Sequence, residues 1–252
     1  MLNYKLSGSG NQTLVLVHGY CENNTCFNEQ VLFFKDICNV ITLDLPGFGK
    51  TPSVPEITIE EMAQMVNQVL VQEKIESCIL LGHSMGGYVT LAFAELFPNK
   101  LKGFGLIHSL ANADTEERKD KRKQVISFIQ ENGKENYIKN FIPGLFTANA
   151  QKDIIESAIE QGLESDELGI IEAAKAMILR PDRQSILSNT SLPVYFAIGK
   201  NDQLIHESTM FAQAAICQKS MITYLEKSAH MGMMEEPELL NIGINKFLAL
   251  AE

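Results

Sequence analysis

Long apolar runs are missing from this sequence of 252 residues. No segment approaches the roughly 20 apolar residues that a membrane-spanning helix needs, so stable membrane insertion is not expected. The opening residues, MLNYKLSGSGNQ, lack the apolar core of a secretory signal, which predicts a cytoplasmic location. Apolar residues still make up 45% of the chain and charged residues 21%. This balance is typical of a folded globular protein and excludes a disordered chain.

Positive charge is also scarce. Lysine and arginine number 21 against 31 aspartates and glutamates, which gives a net charge of −10. A surface of this sign repels the phosphates of nucleic acids, so no nucleic-acid partner is expected. The densest basic segment, residues 118–123, is interleaved with acids, and Glu117 and Lys121 stand four residues apart. This spacing predicts a solvated helix face.

Cysteine is rare and irregularly spaced, with five residues in the chain. Cys21 and Cys26 are close in sequence, but a four-residue gap alone is weak evidence for zinc. No metal site is therefore predicted. Cys38 and Cys78 lie beside apolar runs and are expected in the core. All five thiols are expected to be reduced, as is usual in cytosolic proteins.

Short apolar runs recur between longer segments with helical spacing. Continuous apolar runs of this length are typical of strands that a parallel sheet buries on both faces. Their alternation with helices predicts an α/β fold with a mostly parallel central sheet flanked by helices. The predicted strands are residues 4–6, 13–18, 40–43, 78–82, 104–108, 194–199 and 220–225.

The middle of the chain breaks this alternation. Residues 112–190 contain no convincing strand, and residues 114–132, 152–163 and 166–179 have the composition of helices, with Asp114, Asn149 and Asp166 as expected N-caps. The sequence therefore predicts an α/β core, residues 1–111 and 191–252, with an all-helical insertion at residues 112–190.

The strongest local motif is Gly-His-Ser-Met-Gly-Gly at residues 82–87, placed between a predicted strand and a predicted helix. In this context the G-x-S-x-G pattern predicts a sharp turn that exposes the hydroxyl of Ser84 as a nucleophile. Gly82 and Gly86 leave room for the turn. The helix that follows directs its N-terminal amides and positive dipole end toward the same place.

A serine nucleophile needs a base, and the base needs a carboxylate that orients it. His230 follows the last predicted strand and Asp202 follows the strand before it. Because the carboxyl ends of parallel strands share one edge of a sheet, both side chains are expected near Ser84. Asp166 and Asp182 are weaker alternatives for the acid because they lie in the insertion.

The segment His18-Gly19-Tyr20 follows another predicted strand. Its turn is expected to place the backbone amide of Tyr20, with that of Met85, where a negatively charged substrate oxygen would form. Methionine and phenylalanine near these motifs suit a pliable apolar pocket. The residues expected to line that pocket are His18, His83, His108, Met231, Phe141 and Phe146.

Taken together, these segments resemble the α/β-hydrolase superfamily in its compact, cap-bearing esterase-like branch. The matching segments follow the family's order over nearly the whole chain: HGY, DLPGFGKT, GHSMGG, GKND and SAHMGMMEEP. The resemblance implies Ser84 as nucleophile, Asp202 as acid, His230 as base and the insertion as a cap over the pocket. The short N-terminus departs from the family's eight-stranded sheet and implies about seven strands. A second departure is Cys21, which stands where the family has a glycine-rich stretch.

These residues predict a serine hydrolase that cleaves a small or medium carboxylic ester through an acyl-enzyme, with a small-molecule acyl substrate and no cofactor. Two alternatives stay open. The first is a hydrolase of the same fold that acts on a C–C bond, lactone, thioester or peptide with the same three residues. The second is a ligand-sensing signalling protein that retains these residues without rapid turnover, since fold alone does not decide function.

Overall fold

The computed structural model describes residues 1–251. Its strands form one sheet of seven, which confirms the predicted number. The strands are β1 (Tyr4–Ser7), β2 (Thr13–Val17), β3 (Asn39–Leu43), β4 (Cys78–His83), β5 (Leu101–Ile107), β6 (Val194–Gly199) and β7 (Ser220–Leu225). Their order across the sheet is β1-β3-β2-β4-β5-β6-β7. Only β1 pairs antiparallel, so the mostly parallel sheet is also confirmed.

Helices cover both faces of this sheet and fill the insertion. Within residues 1–251 the α-helices are α1 (Asn28–Phe34), α2 (Ile59–Gln72), α3 (Met85–Leu96), α4 (Glu116–Asn132), α5 (Lys134–Phe141), α6 (Lys152–Leu163), α7 (Glu167–Leu179), α8 (Gln184–Asn189), α9 (Glu207–Ile216), α10 (Gly232–Glu235) and α11 (Pro237–Leu250). No described helix combines the length and apolar character that crossing a membrane requires.

The central strands are buried because apolar side chains face helices on both sides. Every residue of β2, β4 and β6 is buried, as a sheet covered on both faces requires. The parallel register brings the carboxyl ends of these strands together. Val17 pairs with Gly82, and His83 pairs with Ile107. Loops leaving the strands therefore begin along one edge of the sheet.

Helices α4 to α8 all lie between β5 and β6, where the sequence predicts the helical insertion. The predicted N-caps of α4 and α6 were wrong. Thr115, not Asp114, accepts the Arg118 N–H at the start of α4, and α6 begins after Gln151 rather than Asn149. Asp114 does not cap because its carboxylate is bound by two arginines, described below. Asp166 holds the predicted N-cap position of α7, but its side chain makes no capping hydrogen bond to the helix.

Helix α7 crosses the turn after β3 at very short range. Gly47 in that turn has a φ of +83°, and a Cβ on Gly47 would overlap the Cα of Gly169 in α7. The overlap is reciprocal, and the N–H of Asp166 donates to the Gly47 carbonyl at 2.8 Å. Glycine at both positions permits this contact between two backbones.

The five cysteines are all free. Cys38 and Cys78 are buried in the core, as predicted. Burial raises the pKa of the Cys78 thiol to about 12 and that of Cys38 to about 11. Both side chains therefore pack as small neutral groups rather than as reactive thiolates.

Candidate active site

The residues that the sequence predicts for chemistry meet at the carboxyl edge of the sheet. Each one follows a different parallel strand, so the register of the sheet brings them together. They are Tyr20 after β2, Ser84 after β4, His108 after β5, Asp202 after β6 and His230 after β7.

Ser84 occupies a strained turn between β4 and α3. Its backbone has φ 48° and ψ −114°, a conformation that residues other than glycine rarely adopt. The N–H of Ser84 donates to the Ile107 carbonyl at 3.0 Å, and the Ser109 hydroxyl donates to the Ser84 carbonyl at 2.7 Å. These bonds tie the turn to β5 and the segment after it. Ser84 is half-buried although the residues on either side of it are buried, so its side chain is the accessible one.

Glycine on both sides of Ser84 makes this turn possible. A Cβ on Gly82 would overlap the Gly86 carbonyl, and a Cβ on Gly86 would overlap the carbonyls of Val17 and His18. All of the obstructing atoms belong to the backbone, which cannot move aside as a flexible side chain does.

We expect Gly86→Ala to lower the free energy of unfolding by about 1–3 kcal/mol or more, because the added methyl group overpacks a rigid contact. Labelling of Ser84 by a fluorophosphonate should fall at least about tenfold, since a 1 Å displacement of a reacting group is costly. Denaturant unfolding and label incorporation measure the two effects. Gly144→Ala is the matched control, because nothing lies within 4 Å of a Cβ there. Equal effects at the two positions would contradict this account of the turn.

Asp202 and His230 are paired. Oδ2 of Asp202 lies 2.7 Å from Nδ1 of His230, and both side chains are buried. Oδ1 of Asp202 accepts the N–H groups of Leu204 and Ile205, each at 2.9 Å. Burial alone would raise the pKa of Asp202, but the charge of His230 and the hydrogen bonds of His108 and His230 outweigh it. The pKa of Asp202 is therefore held well below its usual range, and the carboxylate stays ionised.

His108 also faces this carboxylate. Its Nδ1 lies 3.4 Å from Oδ2 of Asp202, and its Nε2 accepts the N–H of Gly232 at 3.2 Å. Burial lowers the pKa of His108 to about 4, against the opposing effect of Asp202. The ring is thus neutral near pH 7, and the accepting role of Nε2 leaves its proton on Nδ1, facing Asp202.

His108, Asp202 and His230 also offer donor atoms within 4.8 Å of one another, the spacing that one metal ion would need. The 2.7 Å contact between Asp202 and His230 already engages two of these donors with each other. This contact fits a base held by an acid. The absence of a metal stays a prediction.

A second buried pair of a carboxylate and a histidine lies beside the pair of Asp202 and His230, and no sequence motif predicts it. The Glu22 carboxylate accepts the N–H of Gly19 at 2.9 Å and lies 3.0 Å from Nδ1 of His83. Nε2 of His83 lies 2.8 Å from the carbonyl of His230. Both ring nitrogens of His83 face acceptors, so both carry protons. Burial would lower the pKa of His83, but Glu22 outweighs it and the pKa is raised.

The two predicted amide donors, Met85 and Tyr20, each directly follow one of the turns at the end of β4 and β2. Met85 is the first residue of α3, so its N–H is among those that a helix leaves without an internal partner. Tyr20 follows the His18-Gly19 turn, and the next residue, Cys21, has a φ of 61°. The Tyr20 hydroxyl donates to the Ile170 carbonyl of α7 at 3.1 Å, which ties this turn to the insertion.

A cavity of about 340 Å³ opens beside these groups. Both Ser84 and His230 line it, and Tyr20 and Phe141 are the other predicted site residues in its wall. The remaining lining residues are Tyr88, Arg118, Lys121, Arg122, Val125, Tyr137, Ala174, Met177, Gln203, Leu204 and Ile205. Residues from the insertion and from the sheet edge therefore enclose one space.

The structure places the other residues expected in the pocket outside this cavity. His83 and His108 are held in the pairs described above. His18 is fully buried: its Nδ1 donates to the Gly19 carbonyl at 2.7 Å and its Nε2 accepts the Leu45 N–H at 2.9 Å. Met231 packs in the core. Phe146 lines a separate groove of about 1150 Å³ that Ser84 does not reach.

The weaker candidates for the acid are engaged elsewhere. Asp166 accepts the hydroxyl of Ser53 at 2.5 Å, and Asp182 accepts the N–H of Gln184 at 3.0 Å. Neither lines the cavity.

The basic segment, residues 118–123, is only in part the solvated helix face that the sequence predicts. Lys121 does pair with Glu117 at 2.7 Å, but Arg118, Lys121 and Arg122 all contribute to the cavity wall.

Comparison with known proteins gives a consistent family. A family model described as alpha/beta hydrolase fold matches residues 12–141. The chain is 28% identical to the dihydrolipoyllysine-residue acetyltransferase component of the acetoin cleaving system of Pseudomonas putida, over 97% of this chain and 65% of that protein. It is 23% identical to the pimeloyl-[acyl-carrier protein] methyl ester esterase of Yersinia enterocolitica, over 94% and 93% of the two chains.

Among solved structures, a thermophilic esterase from Thermogutta terrifontis, in a malate-bound form, superposes with a TM-score of 0.95. That comparison covers 99% of this chain and 93% of the other, at 28% identity. The chain spans less than two thirds of the length of the Pseudomonas putida relative. With the seven-stranded sheet and the strained serine turn, the family match shows that the chain belongs to the alpha/beta hydrolase fold family.

Proposed function

We propose that this protein is a serine hydrolase that cleaves a small or medium carboxylic ester. In this proposal Ser84 is the nucleophile, His230 is the general base and Asp202 is the acid that orients it. The amides of Tyr20 and Met85 bind the substrate oxygen as it becomes negatively charged. The insertion, residues 112–190, acts as a cap over the substrate.

The observation that carries this proposal is the shared cavity. Ser84 and His230 line the same space, and Asp202 holds His230 through a 2.7 Å contact at Nδ1. That contact keeps the proton of neutral His230 on Nδ1 and leaves Nε2 free to accept one. A serine in a strained turn, a base with a free nitrogen and an ionised acid are the requirements for nucleophilic acyl transfer.

The proposed reaction proceeds in two halves. His230 takes the proton of Ser84 as the hydroxyl oxygen attacks the ester carbonyl, and the resulting oxyanion accepts the two amide hydrogens. His230 then gives the proton to the departing alcohol, leaving an acyl group on Ser84. His230 then takes a proton from a water molecule as the water oxygen attacks the acyl carbonyl. It returns this proton to the Ser84 oxygen as the bond between that oxygen and the acyl group breaks, which releases the carboxylic acid and the free serine. Throughout, the charge of Asp202 stabilises protonated His230.

One observation supports a substrate of limited size, and another supports acyl chemistry. The cavity lies near the lower end of the roughly 300–1000 Å³ range of ligand sites. The relatives named above include two esterases, and the third is named for acetyl transfer, so all three names describe reactions of acyl groups. The proposal requires no metal or organic cofactor. It also retains the cytoplasmic location, which the five free thiols support.

Labelling with a fluorophosphonate, followed by peptide mapping, tests this function directly. We expect one phosphonylated residue, Ser84, and hydrolysis of p-nitrophenyl acetate and butyrate that exceeds hydrolysis of p-nitrophenyl palmitate. A label on another residue, or none, would overturn the assignment. Negligible turnover of every ester, lactone and thioester tried, with a ligand-dependent protein partner, would favour the sensing role instead.

A further inference from the structure

The wall of the Ser84 cavity is strongly basic, although the protein as a whole has a net charge of −10. Helix α4 contributes Arg118, Lys121 and Arg122 to this wall. Within residues 1–251 the cavity lining includes no aspartate or glutamate. One helix thus places three positively charged side chains along the space that Ser84 also lines. Solubility alone does not explain positive charge at this position.

Arg122 is held in place but not neutralised. Its Nε lies 2.6 Å from Oδ2 of Asp114, and Nη2 of Arg180 lies 2.8 Å from Oδ1 of the same carboxylate. One carboxylate therefore faces two guanidinium groups, which leaves one positive charge in excess. Arg180 in turn stacks on Tyr88, a cavity residue, at 3.8 Å from the ring centre. The side chain of Arg122 keeps 22% of its surface exposed.

The other two cations are also incompletely neutralised. Arg118 donates through Nη2 to the carbonyl of Leu204, which fixes the side chain without cancelling its charge. Lys121 pairs with Glu117, but both side chains are largely exposed, at 68% and 77%, where water screens the attraction. The cavity wall thus carries a net positive charge.

The rest of the lining is largely aromatic and apolar. Tyr137 and Phe141 stack with ring centres 5.2 Å apart, and Val125, Ala174 and Met177 add apolar surface. Low polarity around a fixed guanidinium strengthens its attraction for an anion. The planar fork of arginine also matches the paired oxygens of a carboxylate or phosphate.

We propose that the natural substrate is an ester that carries a carboxylate or phosphate group away from the scissile bond, and that Arg122 and Arg118 bind this group. This inference rests on the proposed hydrolase function and names its substrate class. An uncharged ester would leave the excess positive charge of this wall without a counter-charge.

Matched ester pairs test the inference. The carboxylate pair is mono-p-nitrophenyl adipate and p-nitrophenyl 6-methylheptanoate, in which an isopropyl group replaces the carboxylate. The phosphate pair is 4-acetoxyphenyl phosphate and 4-methylphenyl acetate. We expect kcat/KM to favour the anionic member of at least one pair by about 10–100-fold, as charged hydrogen bonds of this kind allow. The preferred pair identifies the anion.

Variants then assign the preference to residues. Arg122→Gln and Arg118→Gln should each reduce the preference by about tenfold. The loss should lie in KM rather than kcat, because a remote group is bound equally in the ground and transition states. A role of these arginines in holding the cap shut would instead lower kcat for both members of a pair. Arg118→Gln does not touch Asp114, so it tests the inference even where Arg122→Gln unfolds.

Lys123→Gln is the matched control. Lys123 lies on the same helix and carries the same charge, but it is exposed, pairs with Asp120 at 2.9 Å and does not line the cavity. Its preference should equal that of the unchanged protein. Equal rates for both members of both pairs, with the neutral esters hydrolysed and Ser84 labelled, would overturn the anionic substrate alone. Loss of labelling and of all hydrolysis would instead overturn the hydrolase function.

Discussion

Ser84→Ala is expected to lower kcat/KM for ester hydrolysis by about 10⁴–10⁶-fold, and His230→Ala by a similar factor. Neither residue is useful without the other, because the hydroxyl is a weak nucleophile until a base removes its proton. The double variant should therefore be no slower than either single variant. Steady-state rates with p-nitrophenyl butyrate measure all three losses.

The acid makes a separate contribution. Asp202→Asn should lower kcat by about 10⁴-fold, because asparagine offers an N–H where His230 needs an acceptor and so favours the wrong tautomer. Ser127→Ala is the control for the serine substitution, since Ser127 is an exposed serine of α4 outside the cavity. Additive losses in the double variant of Ser84 and His230 would show that these two residues do not act as a unit. Full activity of Asp202→Asn would move the acid role to another residue.

Glu22→Gln is expected to lower the free energy of unfolding by about 3–5 kcal/mol, the usual cost of removing one partner from a buried ion pair. The substitution leaves protonated His83 without a counter-charge while both of its ring nitrogens still face acceptors. Activity should fall as well, because Glu22 and His83 connect the Gly19 turn to the backbone of His230. Denaturant unfolding and ester kinetics report the two losses.

The effect of Glu22→Gln on stability should depend on pH. The pKa of His83 is raised, so its contribution is full below pH about 6.5 and is lost as the pH rises through the raised pKa. Burial would raise the pKa of Glu22, but His83 outweighs it and the pKa is lowered. The contribution of Glu22 is therefore full above pH about 4.5 and is lost as the pH falls through the lowered pKa.

The stability difference between the unchanged protein and Glu22→Gln should thus be largest between about pH 4.5 and 6.5. Glu116→Gln provides the matched control: Glu116 pairs with Lys119 at 2.8 Å, but its side chain is 81% exposed. An exposed pair contributes little, so this variant should unfold like the unchanged protein. A pH-independent difference for Glu22→Gln would show that shape, not charge, explains the effect.

The parts of the molecule that the sequence predicts best are those decided locally. Strand β6 has the predicted bounds because its apolar run is buried on both faces of the sheet. Strand β7 also has the predicted bounds, although it lies at the edge of the sheet and only Thr223 and Leu225 in it are buried. The turn at Ser84 is also local, since three glycines and one serine define it over six residues. Its meeting with Asp202 and His230 follows from parallel topology alone, because each of the three follows the end of a strand.

The parts that could not be predicted depend on distant contacts. Glu22 lies in a polar stretch that reads as a surface loop, and only the fold brings it to His83, 61 positions away. Arg122 lies in a run of charged residues, which predicts a solvated face, but Val125, Ile126 and Ile129 follow it at spacings of three, four and seven and so share its side of the helix. Ile129 is buried, so this spacing is the sequence signal that Arg122 points inward, and the charges obscured it. The position of its guanidinium group beside Asp114 depends on the fold.

The contact between Gly47 and Gly169 has a consequence for cavity size. Neither glycine lines the cavity, yet Ala174 and Met177, on the same helix as Gly169, do. A methyl group at position 47 or 169 would push α7 outward and carry both of these side chains with it. The width of the cavity therefore depends on a contact that a bound molecule does not touch. Because both positions are glycine, α7 lies as close to the turn after β3 as the two backbones allow, and its cavity wall lies correspondingly close to Ser84.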